Sequence, residues 1–122
     1  MSKKLKKLIA VRYTLQELID AGCTLQELKN AGYAPLELTD VGYTIDELKD
    51  IGYTAEELSY GGFTASELRA AGYTLKDLID AGFALDELKN AGFTAKQLKD
   101  YGFTVLDLKE AGFIDEDLKF EK

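Results

Sequence analysis

Apolar residues recur along this chain with a period of ten, matching neither the 3.6 of a long amphipathic helix nor the 2 of a strand. Leucine stands at Leu18, Leu28, Leu38, Leu48, Leu58, Leu68, Leu78, Leu88, Leu98, Leu108 and Leu118. Glycine keeps the same spacing at Gly22, Gly32, Gly42, Gly52, Gly62, Gly72, Gly82, Gly92, Gly102 and Gly112. A Tyr or Phe follows each of these glycines except at Cys23, Thr usually comes next, and three residues later stands an acid in nearly every repeat.

The polar residues between the leucines predict where each helix starts and stops. Thr44 with Glu47 forms a capping box, in which the hydroxyl accepts from the Glu47 N–H and the carboxylate from the Thr44 N–H. Gly52 falls at the C′ position, where a left-handed residue is needed and glycine pays no Cβ penalty. Tyr43 is placed to staple onto Leu48, and Tyr53, the C″ residue of a Schellman motif, reaches the same leucine from the other side. Each aromatic thus ends one helix and starts the next.

One continuous helix is excluded. Ten residues turn each repeat by about −80°, so the leucines would spiral around it, and each interior glycine would cost roughly 1 kcal/mol relative to alanine. Strands fail for want of period-two alternation. The fold class expected is all-α, a solenoid or superhelix of about eleven ten-residue repeats, each a short capped helix plus a glycine turn. Nearest-neighbour contacts are expected, with an inner line of leucines and of the small residues Ala21, Ala31, Val41, Ile51, Ala71, Ala81, Ala91 and Ala111. The whole of 1–122 reads as one repeat domain, with a degenerate N-terminal cap over 1–12, ten repeats over 13–112 and a closing one over 113–122. In the cap Leu5 and Leu8 keep the register and four lysines keep the end soluble; at the far end Phe120 is expected to fold over the last leucine.

Departures from the pattern sharpen it. Pro35 occupies N1, the helical position where proline is favoured. Ala34 and Ala84 lack the capping hydroxyl. Gly61–Gly62 breaks the Ala/Val/Ile preference before the turn and marks the most pliable joint. The drift from Tyr in the first half to Phe in the second predicts a wetter Tyr half.

The repeat Ala-Gly-[Tyr/Phe]-Thr-x-x-Glu-Leu-Lys-x, running over residues 13–118, resembles the decapeptide tandem-repeat arrays of predicted proteins from diverse microbes and large viruses. The resemblance implies a compact helical solenoid and carries no established activity. Arg12, Cys23 and Ile114 depart from its pattern.

Composition narrows the function. With 46% hydrophobic and 30% charged residues the chain is a folded one. A net charge of −7 argues against nucleic acid as a partner, and no apolar run is long enough for a transmembrane segment. Cys23, the single cysteine, replaces an aromatic and reads as a small buried apolar residue; together with the short apolar run at Leu8–Val11 it suggests an intracellular, cytoplasmic setting. No histidine is present, so neither a Ser-His-Asp or Cys-His arrangement nor an imidazole metal site can form. No catalytic, cofactor-binding or metal residues and no cofactor are expected. The Glu row has its capping role, and a second acidic row (Asp20, Asp40, Asp50, Asp80, Asp100) reads as a solvated ridge.

What remains is apolar side chains at positions that are polar in other repeats: Leu36, Tyr60, Tyr101, Leu106 and Phe120, the candidate partner surface. The expected function is a non-enzymatic repeat scaffold or protein–protein interaction module, a monomer rather than an oligomer, whose partner is another protein or itself. The alternatives are a self-assembling element stacking end to end through its basic and acidic termini, and a designed or consensus repeat without natural function. Against the last speak the irregular Cys23, Pro35 and Tyr60–Gly61. The glycine-turn reading predicts that Gly52→Val destabilises far more than Asp50→Ser, because a β-branched residue resists positive φ. Equal melting temperatures would refute it.

Overall fold

The computed structural model describes residues 13–119, and the chain divides into two compact bodies, Met1–Tyr53 and Thr54–Lys122. The N-terminal body carries α1 (Leu15–Asp20), α2 (Leu25–Asn30), α3 (Pro35–Asp40) and α4 (Ile45–Asp50). The C-terminal body carries α5 (Ala55–Tyr60), α6 (Ala65–Ala70), α7 (Leu75–Asp80), α8 (Leu85–Asn90), α9 (Ala95–Tyr101), α10 (Val105–Glu110) and a closing 3₁₀ turn (Asp115–Leu118). Among the described residues there is no strand, so the fold is an all-α tandem repeat of the solenoid class. The expected N-terminal cap over 1–12 and the fold-back of Phe120 lie outside the described residues.

Each helix is bounded by the chemistry its sequence supplies. At α4 the Glu47 N–H donates to Thr44 Oγ1 at 3.1 Å while the Thr44 N–H donates to Glu47 Oε1 at 2.8 Å. At its other end the Tyr53 N–H donates to the Leu48 carbonyl and the Gly52 N–H to the Lys49 carbonyl, both at 3.0 Å. Those two bonds are the Schellman pair, and they require the left-handed φ of +103° at Gly52. Where Ala34 and Ala84 replace threonine only the reciprocal half of the box survives, each alanine N–H donating at 2.8 Å to Glu37 or Glu87. Pro35 sits at N1 and is buried. In the closing repeat Ile114 offers no acceptor and no glycine follows, and the last helix shrinks to a 3₁₀ turn.

A helix of six residues, about 9 Å long, has no independent stability, so tertiary burial must hold it. Ten leucines, Leu18 through Leu108, are 0% exposed, and burying each contributes about 1.5–3 kcal/mol. Leu118 is only half-buried. The expected inner line of small residues is corrected: Ala21 is exposed, and Ala31, Val41, Ile51, Ala71, Ala81, Ala91 and Ala111 are half-buried. They end their helices at the rim of the leucine core.

Contacts also reach further than nearest neighbours. Within the C-terminal body α5 packs against α7, α6 against α8 and α9 against the closing turn, in addition to the adjacent pairs α5/α6, α6/α7 and α9/α10. The aromatics follow this two-repeat rhythm: Tyr73, Phe93 and Phe113 are buried, whereas Phe63, Phe83 and Phe103 are half-buried. Within the C-terminal body burial therefore depends on the parity of the repeat and not on Tyr against Phe, whereas in the N-terminal body Tyr33 and Tyr43 are both half-buried. The Tyr-rich first half is the wetter one as expected, with Tyr13 and Tyr60 exposed and Tyr33 and Tyr43 half-buried, although Tyr53 is 5% exposed. At Gly61 a Cβ would stand 3.1 Å from the Phe63 ring, so any larger residue there would press on that ring.

The missing half-boxes are repairable. Ala84→Thr and Ala34→Thr should each stabilise the protein by about 0.5–2 kcal/mol, read as a raised denaturant midpoint at unchanged slope. No gain in either would mean that the hydroxyl half of the box contributes nothing here.

Candidate interaction surface

Five kinds of side chain recur in each repeat, and three of them (Leu, the capping Thr and its acid) are committed to structure. The outward positions are different. The N2 residues Gln16, Gln26, Leu36, Asp46, Glu56, Ser66, Lys76, Asp86, Lys96, Leu106 and Glu116 are all exposed, and their chemistry changes from one repeat to the next. Some of this row is occupied along its own helix. Lys76 and Lys96 reach Asp80 and Asp100 at 2.7 and 2.9 Å, and Gln16 donates to Asp20 at 3.0 Å. The aspartate row is thus solvated, as its position near the helix ends suggested, and these three members have an i,i+4 partner.

Of the candidate partner residues, Leu36 is 48% exposed in the N-terminal body. Tyr60 at 81%, Tyr101 at 44% and Leu106 at 65% are in the C-terminal body. Phe120 lies outside the described residues. Tyr101 lengthens α9 by one residue and stacks on Phe103, with ring centroids 6.1 Å apart. Sequence reasoning passed over Tyr13, Val105 and Ile114, which are also exposed. Tyr13 and Val105 occupy their normal places in the repeat, so nothing in the pattern marks them, whereas Ile114 stands where other repeats have the capping threonine and was visible as a departure.

A second set of residues was missed although the sequence does mark it. Lys29 lies over the Tyr53 ring at 5.2 Å, Arg69 over Phe93 at 4.3 Å and Lys89 over Phe113 at 5.7 Å. The separation is 24 residues each time, and each contact is a cation–π pair between repeats two apart. Arg69 Nη1 also donates to the Ala91 carbonyl at 2.7 Å, placing a cation at the negative end of α8. Nearby, Ser66 Oγ donates to the Asn90 carbonyl at 3.4 Å. In the N-terminal body the Tyr53 hydroxyl donates to the Tyr33 carbonyl at 2.7 Å. The signal was a basic residue in every second repeat from Lys29 to Lys89 (Lys29, Lys49, Arg69, Lys89), alternating with Ile19, Thr39, Ser59 and Ile79 until Lys99 breaks the rhythm.

The concave features of the C-terminal body are shallow grooves along the seams between repeats two apart. Asp86, Asp107 and Glu110 with Leu85 line one of about 330 Å³. Lys89, Lys96 and Lys119 with Phe93 and Phe113 line another of about 430 Å³. Among the described residues no cluster of three metal-ligating side chains occurs, and no helix is long and apolar enough to cross a membrane. Among the described residues no polar or charged side chain is buried. Cys23 is buried as a free thiol.

Helices of this length, each opened by a whole or half capping box and closed by a Schellman glycine at ten-residue spacing, define a tandem decapeptide-repeat protein. A family model described as the decapeptide repeat region matches residues 3–73 and 42–115, and the chain belongs to that family. No curated protein and no solved structure matches it.

Titration gives a handle on the packing. Burial, followed by the charges of Asp77 and Glu57, pushes the Tyr73 phenol up to about 12. Contact with the Thr14 backbone and hydroxyl lowers the Glu17 carboxyl in the capping box, and Thr104 does the same for Asp107. A phenol whose folded pKa is raised contributes stability that is intact below its unfolded value, near 10, and lost as pH climbs toward 12. Melting temperature should therefore fall steeply between about pH 10 and 12, and Tyr73→Phe should flatten that fall, since phenylalanine already fills the equivalent Phe93 and Phe113 sites. An unchanged alkaline slope would remove Tyr73 as its source.

Proposed function

We propose that this decapeptide-repeat protein is a non-enzymatic interaction module, a monomer that presents a row of changing outward side chains to another protein. The observation that carries this reading is the N2 row: exposed in every described repeat and running through amide, carboxylate, hydroxyl, ammonium and leucine chemistry, above an unchanging leucine core. Repeat proteins divide labour in this way, with inward positions setting the stack and outward positions free to specify a partner. The step from architecture to binding rests on analogy between folds. It draws support from Leu36, Tyr60 and Leu106, large apolar groups that their own helices leave in water.

End-to-end self-assembly is the competing reading, motivated by the lysines of residues 3–7 and the acids of 115–121. Light scattering behind a sizing column separates the two. The module should elute as a species of 13.5 kDa at low salt and at about 0.5 M salt. Assemblies that shrink as salt screens the termini would transfer the assignment to a structural element.

A further inference from the structure

The lysine-lined groove of the C-terminal body stands out from the rest of an acidic chain. It occupies about 430 Å³ beside α9 and is lined by Lys89, Lys96 and Lys119 together with the edges of the buried Phe93 and Phe113, over which Arg69 and Lys89 lie. One carboxylate, Asp117, shares the lining, and it accepts from the Ile114 N–H at 3.1 Å. Lys96 and Lys119 pair with Asp100 and Glu116 at 2.9 and 3.2 Å, in contacts whose side chains are more than 60% exposed. Exposed pairs of this kind are worth little and exchange readily for another carboxylate. The neighbouring seam groove, with Asp86, Asp107 and Glu110, has the opposite charge.

A second, independent feature lies in the capping residues. The first turn of α9 is alone among the ten described α-helices in carrying no acid. Gln97 stands where the others have Glu or Asp, yet the box is complete: the Thr94 N–H donates to Gln97 Oε1 at 2.8 Å, and the Gln97 N–H to Thr94 Oγ1 at 3.1 Å. The cap needs a carbonyl-type oxygen and not a charge. Glutamine therefore keeps the helix start while removing a negative charge beside the groove, and at N2 the same turn adds Lys96.

We infer that this groove docks a short acidic segment of a partner protein, its carboxylates on Lys89, Lys96 and Lys119. The inference rests on the interaction-module reading and names the chemistry of the partner. Charge complementarity selects the occupant. A long polyanion such as nucleic acid fits less well on a chain whose net charge is −7.

Titration of fluorescein-labelled octaglutamate, followed by anisotropy at low salt, tests it. Wild type should bind, and added salt should weaken binding. Gln97→Glu, which restores the ordinary capping acid, should weaken it by roughly threefold, and Lys96→Glu by roughly tenfold. Lys76→Glu should leave it unchanged, because Lys76 holds the same N2 place and an equivalent aspartate pair outside the groove. Unaltered melting of Gln97→Glu would show that the fold is intact. Absence of binding, equal losses in Lys76→Glu and Lys96→Glu, or tighter binding of an octathymidylate than of the peptide would each overturn the inference. None of these results bears on the monomeric mass, which tests the module reading separately.

Discussion

Everything in this protein depends on the junction between one helix and the next. Over the few residues from Leu48 to Tyr53 the chain ends a helix with two backbone bonds, reverses through a left-handed glycine and sets an aromatic ahead of the next capping threonine. Backbone donors and acceptors left over at the ends of so short a helix would outnumber those satisfied inside it. The capping box and the Schellman pair satisfy them locally, which lets a helix of six residues exist at all. The junction also spaces the leucines ten residues apart, and the core follows from their burial.

Stacking between repeats adds a second layer of specificity. Leucine is common to all repeats and cannot tell one from another. The cation–aromatic pairs can, because Arg69 meets Phe93 and not Phe83. Arg69 does three things at once: its guanidinium covers a ring, accepts the field of a helix C-terminus and donates to the Ala91 carbonyl. A lysine can provide the charge without that planar fork, as Lys29 and Lys89 do over Tyr53 and Phe113.

How much was legible in the sequence follows from the range of each interaction. Thr44, Glu47, Leu48, Gly52 and Tyr53 lie within one repeat, so their hydrogen bonds could be read from spacing alone. Packing between α6 and α8 involves residues 20 to 24 apart, and the leucine register is silent about it. Nearest-neighbour stacking was therefore an incomplete default, since the adjacent contacts form but contacts two repeats apart are added to them. The parity of Lys29, Lys49, Arg69 and Lys89 held the missing information, but a lysine near a helix C-terminus already has a local electrostatic explanation. For the outward residues, Tyr60 and Leu106 were identifiable because they break a polar position. Ile114 was visible as a departure from the capping threonine, whereas Val105 was not, because exposure there depends on what the fold places beside it. The lysine groove was invisible for the same reason, although Gln97 in a row of acids was in plain view.

The twenty-residue rhythm of the cation–aromatic pairs has a consequence for how such a chain can change length. Duplication or loss of two decapeptides restores every pairing on either side of the seam, with each base still facing the ring that suits it. Gaining or losing a single decapeptide shifts the parity downstream, so that a base such as Arg69 would face a repeat of the other kind. The leucine core would tolerate either event, whereas the rings and their cations tolerate only the first. An array of this design should therefore grow and shrink in pairs, and the pair, not the ten-residue motif that catches the eye, is its unit of inheritance.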